Sequence, residues 1–236
     1  IRSGVAGMSS RLNDRLDQLY ANRFSADDRV VRRRAWRVLG AAVFDRYIPP
    51  GATVLDVGAG YCDLINNVHA GRRIAVDLNP EMPASADAGV ETHVLPLDRL
   101  GEAVGPAEVD VAIASNVFEH LPGPDALLAV LGALRLAIRP GGRLIVMQPN
   151  VRVVGGRFWD FFDHTLPLTE LGMAEALRVA GFEVAECRPR FLPYTFKGRL
   201  PAWPWLVRLY LALPPAQWIF GKQMFVVAVR PDDRPE

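Results

Sequence analysis

The sequence predicts an α/β fold of the doubly wound type, with a mostly parallel sheet of seven strands and an antiparallel hairpin at one edge. Two observations lead to this prediction. Short apolar runs recur between Thr53 and Asn150, most of them closed by an acid, a glycine or a proline, and amphipathic helical patterns separate them. Strands that read as continuous apolar runs are buried on both faces, as in a parallel sheet covered by helices.

Two helices are predicted before the first strand. Leucines recur at helical spacing between residues 9 and 24, and a second helical pattern covers residues 27–47. The proline-proline-glycine run at residues 49–51 ends this second helix, because these residues do not continue a helix. We therefore expect residues 9–50 to form a helical cap in front of the sheet.

Seven strands are predicted after this cap. They are Thr53–Val57, Arg73–Val76, Thr92–Leu95, Val109–Ser115, Arg143–Met147, Phe182–Cys187 and Gln223–Val229. The last two have no full-length helix clearly between them, so they are expected to pair as the antiparallel hairpin. An insert at residues 191–222 interrupts this hairpin.

Three further helical patterns lie between the predicted strands. One follows the first strand as far as Ala70, one covers residues 125–138, and one ends at Ala180 after Thr169 as its N-cap. The glycines of Pro140-Gly141-Gly142 allow a tight reversal before the fifth strand. The order of elements is that of a doubly wound fold.

The composition describes one ordinary globular domain over residues 1–236. Half of the residues are hydrophobic and the net charge is +1, which leaves no electrostatic case for a nucleic-acid partner. Cys62 and Cys187 stand far apart, so we expect no disulfide framework, no metal site and a cytoplasmic location. The most apolar stretch, Trp203 to Phe220, is broken by prolines and an arginine, so no transmembrane segment is expected.

The chemistry is expected where the strands end, because ligands of open α/β sheets bind outside the carboxyl ends of the strands. The first strand closes with Asp56 and the glycine turn Gly58-Ala59-Gly60, where the backbone can approach a ligand closely. Asp63 stands where a dinucleotide fingerprint needs its third glycine, which argues against a nicotinamide cofactor. An acidic turn suits a ligand that carries sulfonium and ammonium groups.

Acids also follow the second and third strands. Asp77 comes 19 positions after Gly58, which matches the spacing of about 20 for an acid that accepts the hydroxyls of an adenosine ribose. Asp98 is placed to accept a hydrogen bond from an adenine amino group. The alternative interpretation is that these acids are loop residues that cap strand ends, and it applies most to Asp98.

Three segments in this order resemble the class I S-adenosylmethionine-dependent methyltransferases. They are Val54–Gly60, Asp110–Leu121 and Leu134–Leu144, the last of which looks like the family's helix–Pro-Gly-Gly–strand signature. The resemblance covers residues 53–150 and departs at Cys62, where the family usually carries a third glycine. It implies a Rossmann-like methyltransferase fold with S-adenosylmethionine as cofactor and S-adenosylhomocysteine as product.

The resemblance assigns roles in cofactor binding to residues at the strand ends. Asp56, Gly58 and Gly60 would hold the methionine portion of the cofactor. Asp77 would hold the ribose. Cys62 is expected to be a small buried residue, or alternatively to line the cofactor site.

Other cofactor contacts are expected around this turn. Leu78 and Asp98 would contact the adenine, and Asn116 would line the cleft beside the methionine end. The N-terminal helices are expected to close over the cofactor, which would bring Tyr20 and Arg23 near its carboxylate.

Two histidines are candidates for the general base that a hydroxyl acceptor would need. His164 lies in an aromatic segment, where the carboxylate of Asp163 or Asp160 can fix the tautomer of its imidazole. His120 follows Glu119 in the segment that lines the cleft. The alternatives are structural: a turn histidine for His164 and a helix-opening residue for His120.

The segments Gln148–Asn150, Trp159–His164 and Arg190–Tyr194 resemble a subgroup of methyltransferases often associated with polysaccharide and glycosylation gene clusters. The predicted function is O-methylation of a small molecule, a sugar or natural-product hydroxyl, at the substrate side formed by residues 151–236. The alternative is a partner subunit that binds the cofactor without catalysis. The insert at residues 191–222 is expected to cover the acceptor pocket, to pair two subunits as a homodimer, or to contact a membrane surface.

Overall fold

The computed structural model describes residues 26–194 and 203–232 of the chain. Within these residues seven strands form one sheet. They are β1 (Thr53–Val57), β2 (Arg72–Asp77), β3 (Val90–Val94), β4 (Val109–Ser115), β5 (Ile138–Pro149), β6 (Glu183–Arg188) and β7 (Gln223–Val229). Their order across the sheet is β3-β2-β1-β4-β5-β7-β6. The first five strands are parallel, and β7 pairs antiparallel with both β5 and β6, which confirms the predicted fold class.

The strand order reverses at β1, which pairs with β2 on one side and with β4 on the other. Chain connections therefore leave this point in opposite directions, which opens a crevice at the carboxyl ends of β1 and β4. The turn after β1 and the segment after β4 meet at this edge of the sheet. The topology thus places at the predicted glycine turn a crevice of the kind that binds ligands in open α/β sheets.

Seven α-helices lie within the described residues. They are α1 (Ala26–Ala42), α2 (Met82–Ser85), α3 (Pro124–Ala137), α4 (Val151–Val154), α5 (Glu170–Val179), α6 (Pro204–Ala212) and α7 (Pro214–Phe220). Helices α3 and α5 pack on one face of the sheet, and α1 and α6 pack on the other. Both faces are thereby buried, as the continuous apolar strands require.

The segment after β1 is not the α-helix that the pattern up to Ala70 predicts. Turns and a single 3-10 turn at Ile65–Asn67 replace it. Cys62 has a left-handed backbone with φ +58°, which interrupts helical geometry. The backbone N–H of Ile65 donates to the Asp56 carboxylate instead of an intrahelical carbonyl. The prediction is wrong here because contacts with the preceding strand replace helical hydrogen bonds.

The Pro140-Gly141-Gly142 segment belongs to β5 and is not a reversal that precedes it. Val109 pairs with Ile138, whereas Val111 pairs with Arg143, so the extra residues form a bulge. Gly141 has φ +72°, a conformation that favours glycine. The fifth strand therefore begins five residues earlier than predicted, at Ile138 rather than Arg143.

Helix boundaries agree in part with the sequence. Thr169 is the predicted N-cap of α5, because its Oγ1 accepts a hydrogen bond of 3.1 Å from the backbone N–H of Gly172. The second predicted helix ends at Ala42, and Phe44–Tyr47 continues it as a 3-10 turn. The predicted helix over residues 9–24 lies outside the described residues. None of the helices described here combines the length and the apolar character needed to cross a bilayer.

Candidate active site

The glycine turn after β1 is held between β2 and the segment that follows β4. The backbone N–H groups of Gly58 and Ala59 donate to the carbonyl of Val76, at 2.8 and 3.1 Å. Gly58 has φ +72°, and a Cβ atom on it would lie 2.5 Å from Cγ2 of Val117. This position therefore requires glycine both for its backbone conformation and for the close approach of Val117.

Asp77 joins this turn to the end of β2. Its Oδ2 accepts from the backbone N–H of Gly60 and its Oδ1 from that of Asn79, both at 2.7 Å. The Asn79 side chain donates to the carbonyl of Gly60 at 3.1 Å. Burial raises the pKa of the Asp77 carboxyl, and these backbone N–H groups lower it in part. A carboxylate has about four acceptor positions, so Asp77 can still accept from a ligand hydroxyl beside these backbone donors.

Asp56 is buried beside the same turn, with 2% of its surface exposed. It accepts a backbone hydrogen bond from Ile65, but its Oδ2 has no hydrogen-bond partner among the described residues. Burial, together with the negative charge of Asp77, raises the pKa of this carboxyl to about 8. A buried polar atom without a partner is uncommon in a folded protein and is typical of a ligand site.

The glycine turn, Asp56 and Asp77 together form a cradle at the ends of β1 and β2. The other residues predicted to bind the cofactor lie around this cradle or outside the described part of the chain. Leu78 follows Asp77 and is 39% exposed, as expected for a side chain that faces a ligand. Asp98 is exposed at the start of the 3-10 helix Leu97–Glu102, after β3. Asn116 directly follows β4 and has φ +54°. The predicted positions of Tyr20 and Arg23 lie outside the described residues.

A second group of polar side chains lies where the segment after β4 meets the segment before α5. The backbone N–H groups of Thr165 and Leu166 donate to the carbonyl of Glu119, at 2.8 and 3.0 Å. This pairing brings His120 and His164 together, with 5.0 Å between their ring centroids. Both candidate bases, which are 44 positions apart in the sequence, therefore belong to one site.

Asp163 positions His120. The Nδ1 atom of His120 lies 3.2 Å from Oδ2 of Asp163 and 3.1 Å from the backbone carbonyl of the same residue. Burial lowers the pKa of the His120 imidazole, but Asp163 and Glu119 outweigh this effect, so that its pKa is raised. A positive charge on His120 in turn lowers the pKa of the Asp77 carboxyl at the end of β2.

Aromatic side chains pack around His164, which is only 7% exposed. The ring centroids of Phe158 and Phe161 lie 4.7 and 4.9 Å from that of His164, and Tyr194 contacts Phe161 at 5.6 Å. Phe158 is part of the core, whereas Trp159 and Phe162, which follow it in the sequence, are exposed. The aromatic segment thus supplies both core packing and a rim around the second histidine.

The acids expected beside His164 have other partners in the structure. Asp163 pairs with His120, as described above, and Asp160 lies 3.9 Å from the guanidinium of Arg157. Neighbouring residues in a turn point in different directions, so adjacency in sequence does not predict which histidine an acid contacts. The orientation of His120 by Asp163 is the arrangement that the sequence does not reveal.

Three buried polar residues near these strand ends have no predicted role in the site. Glu119 is 1% exposed and Asn79 is 2% exposed. Gln148, near the end of β5, is 1% exposed, and neither polar atom of its amide has a hydrogen-bond partner among the described residues. The sequence feature that could have identified them is a polar residue near the carboxyl end of an apolar run, because ligands bind at those ends in this fold.

A sequence family described as "Methyltransferase domain" matches residues 29–187, which is more than half of the chain. The chain therefore belongs to this methyltransferase domain family. The match contains the glycine turn, both acids of the cradle and both histidines of the second group.

Solved S-adenosylmethionine-dependent methyltransferases share this fold. A chain from the complex of the Haloferax volcanii Trm112 methyltransferase activator with a methyltransferase is 20% identical, with a TM-score of 0.67 over 95% of this chain and 99% of that chain. A Burkholderia thailandensis 1,6-didemethyltoxoflavin-N1-methyltransferase, solved with S-adenosylhomocysteine bound, is 23% identical, with a TM-score of 0.59 over 96% of this chain and 90% of that chain. Together with the family, these structures support S-adenosylmethionine as the cofactor.

One curated relative is a much larger protein. The highly reducing polyketide synthase PKS6 of Gibberella zeae is 31% identical over 120 residues, which are 43% of this chain and 5% of that protein. The chain thus corresponds to a small part of this relative.

Proposed function

We propose that the chain binds S-adenosylmethionine at the ends of β1 and β2 and transfers its methyl group to a small molecule. The observation that carries this proposal is the buried Oδ2 of Asp56, which lacks a hydrogen-bond partner in the described part of the chain, beside a glycine turn held by Asp77. The cofactor supplies an electrophilic methyl group on a sulfonium. A cationic amine is the partner that this carboxyl would accept most favourably.

The cradle has the donors and acceptors that this cofactor needs. Asp56 and the backbone at Gly58 and Gly60 would bind the amino acid portion, and Asp77 has a free acceptor position for a ribose hydroxyl. We assign the adenine to the side of Leu78 and Asp98. Asn116 would line the cleft, and Tyr20 and Arg23 remain assigned to the cofactor carboxylate.

The acceptor is proposed to be a hydroxyl of a sugar or natural product, bound within the aromatic rim around His164. Aromatic walls with a few polar groups are typical of small-molecule pockets. His164 or His120 would take the proton of the hydroxyl as it attacks the methyl group in line. The resemblance to methyltransferases of polysaccharide and glycosylation gene clusters favours a sugar as the first acceptor to assay.

Two relatives support a small-molecule acceptor. One solved neighbour is named as a methyltransferase of 1,6-didemethyltoxoflavin, and the curated relative is named as a polyketide synthase. Another neighbour was solved with an activator protein, which keeps the second candidate open: a subunit that binds the cofactor and is inactive without a partner. Turnover of an acceptor by the isolated chain separates these two functions.

The proposal is tested by thermal unfolding with S-adenosylhomocysteine, with NAD and NADP as controls. A ligand at 100 times its dissociation constant stabilises the folded state by about 2.7 kcal/mol, which raises the unfolding temperature measurably. We expect a rise with S-adenosylhomocysteine alone. No rise with this ligand, or a rise with a nicotinamide cofactor, would contradict the proposal.

We also propose that residues 191–222 contact an anionic membrane surface. This range contains four basic residues and no acidic residue, and it carries several tryptophans. Trp205 and Trp218 on α6 and α7 are 59% and 65% exposed. The neighbouring cavity, of about 300 Å³, has three arginines in its lining, Arg46, Arg188 and Arg208. Exposed tryptophans beside basic side chains favour a lipid interface over pairing of two identical basic surfaces.

A further inference from the structure

We propose that Glu119, His120 and His164 bind a divalent transition-metal ion beside the cofactor cleft. A carboxylate oxygen of Glu119 and one ring nitrogen of each histidine all lie within 4.8 Å of one another. Glu119 and His164 are buried, and His120 is partly exposed. The three ligand atoms therefore lie close enough to share one ion.

The chemistry of these ligands selects a class of metal. Two imidazoles and one carboxylate form the ligand set of many catalytic zinc and non-haem iron sites, whereas magnesium and calcium prefer oxygen ligands alone. Bonds of about 2.0–2.2 Å place ligand atoms about 3–3.5 Å apart. The present separations are all within 4.8 Å, and a bound metal would draw the three atoms closer together.

The contacts of His120 are an independent observation that supports the site. Asp163 engages Nδ1 of His120 through its side chain at 3.2 Å and its backbone carbonyl at 3.1 Å. This arrangement orients the ring, and we infer that Nε2 is the nitrogen left to coordinate the metal. Histidines that bind metals commonly have such a carboxylate or carbonyl on the second nitrogen.

The backbone holds the ligands in place before a metal binds. Thr165 and Leu166 donate to the carbonyl of Glu119, and the hydroxyl of Thr165 donates to the carbonyl of Leu121 at 2.7 Å. The ring of His164 is stacked on that of Phe161, with an interplanar angle of 25°. A site whose ligands are already ordered loses less conformational entropy when it binds its ion.

The site adjoins the cradle proposed for the cofactor. Val117, two residues before Glu119, lies directly against Gly58 of the glycine turn. A metal with three protein ligands keeps at least one position open for an oxygen of the acceptor. This role rests on the proposed methyl transfer. With the metal bound, the two imidazoles would be its ligands, and an acceptor hydroxyl acidified by the ion would release its proton to solvent as it attacks the methyl group. Without the metal, the imidazoles are the bases proposed above. Metal binding itself does not depend on that function.

The test is a titration of the full chain, first freed of metals with a chelator, with Zn²⁺ by calorimetry and with Co²⁺ by visible absorption. We expect one ion per chain and Co²⁺ absorption bands typical of mixed nitrogen and oxygen ligands. Glu119→Gln and His164→Gln should each weaken binding at least 100-fold, and Asp163→Asn should weaken it about 10- to 100-fold. The control is His69→Gln, which removes an exposed histidine paired with Asp45 and should leave binding unchanged.

Three results would overturn the metal site: no stoichiometric ion on the wild-type chain, equal affinity in Glu119→Gln and wild type, or loss of binding in His69→Gln. If His164→Gln does not fold, Glu119→Gln and Asp163→Asn still decide. Stabilisation by S-adenosylhomocysteine is measured on the same metal-free protein. A shift with this ligand but no metal binding rejects the metal site alone, and the reverse result rejects the proposed cofactor.

Discussion

Two residues other than glycine have left-handed backbones at the turns beside the proposed cofactor cleft. They are Cys62 with φ +58° and Asn116 with φ +54°. Asparagine tolerates this region, whereas for most other residues it costs about 1–2 kcal/mol. The conformation of Cys62 explains why the resembling family usually has glycine at this position. Its thiol is fully buried, which confirms the predicted small core residue.

Replacement of Cys62 should separate backbone strain from packing. Cys62→Ala and Cys62→Gly both remove the buried thiol, but only glycine adopts the left-handed conformation without steric cost. We expect Cys62→Gly to be more stable than Cys62→Ala by about 1 kcal/mol, in urea unfolding experiments. The strain would be refuted by an alanine variant as stable as the glycine variant.

The two glycines of the turn should differ in their response to alanine. Both have positive φ, but a Cβ on Gly58 would collide with Val117, whereas a Cβ on Gly60 would meet no atom within 4 Å. We expect Gly58→Ala to lower the free energy of unfolding by about 1–3 kcal/mol more than Gly60→Ala, in the absence of ligand. The measurement is chemical unfolding of both variants.

A double mutant tests the cause. Val117→Ala should recover part of the loss caused by Gly58→Ala, because it removes Cγ2, which would lie 2.5 Å from the added Cβ, but keeps the Val117 Cβ at 2.7 Å. It should recover nothing in Gly60→Ala. Additive effects in the first pair would show that the methyl groups of Val117 are not the reason.

At the scale of elements, helices α6 and α7 show how prolines organise the most apolar stretch of the chain. Pro204 and Pro214 lie at the starts of the two helices, where proline is favoured. The sequence alone indicates these prolines only as interruptions of the apolar stretch. The helices are short and leave large apolar side chains exposed, among them Trp205, Trp218 and Phe220. An exposed apolar surface of this kind is typical of a site that contacts a partner or a membrane.

Binding to lipid vesicles tests the membrane contact proposed for this surface. We expect the chain to sediment with vesicles that contain anionic lipid and to bind neutral vesicles more weakly, because tryptophans and basic residues act together. The double variant Trp218→Ser and Phe220→Ser should lose most of this binding. Leu136→Ser is the matched control, since Leu136 is an exposed apolar residue on α3, with 62% of its surface accessible.

The competing partner is a second copy of the chain. A wild-type dimer that becomes a monomer in the double variant, without vesicle binding by either protein, would reject the membrane contact. Light scattering after size-exclusion chromatography gives this result directly.

At the scale of the whole molecule, the buried Asp56 connects the proposed site to global stability. Burial raises the pKa of its carboxyl from 3.8 to about 8, so the folded protein holds a proton that the unfolded chain releases above about pH 4. The contribution of Asp56 to stability is therefore full below pH 4 and is lost as the pH rises towards 8. A site built to receive a cationic ligand thus destabilises the empty protein near neutral pH.

The variant Asp56→Asn should remove this dependence. We expect its free energy of unfolding to fall less between pH 4 and pH 8 than that of the wild type, because asparagine has no proton to lose. Chemical unfolding over this range is the measurement, and Asp110→Asn, which alters an exposed ion pair with Arg139, is the control. Parallel pH profiles of wild type and Asp56→Asn would show that the carboxyl is already ionised in the folded protein.

The sequence by itself determined the sheet, the glycine turn and the acids at the ends of β1 and β2. Apolar runs, their closing residues and the N-cap at Thr169 act through neighbours along the chain, so their effect can be read locally. The bounds of β4 and β7 follow from these patterns without change. The sequence alone therefore predicts most of the proposed cofactor cradle, because parallel strands bring their carboxyl ends to one edge of the sheet.

Only the tertiary structure decided which side chains meet across that edge. It pairs Asp163 with His120, groups Glu119 with both histidines and turns Cys62 into a left-handed conformation that replaces the predicted helix. The two groupings of side chains depend on loops separated by more than 40 residues, whose packing is set by hydrogen bonds between distant backbones and not by local pattern. Helical and strand periodicity contains no information about such pairs, because it describes how a segment faces the core and not which segment lies opposite.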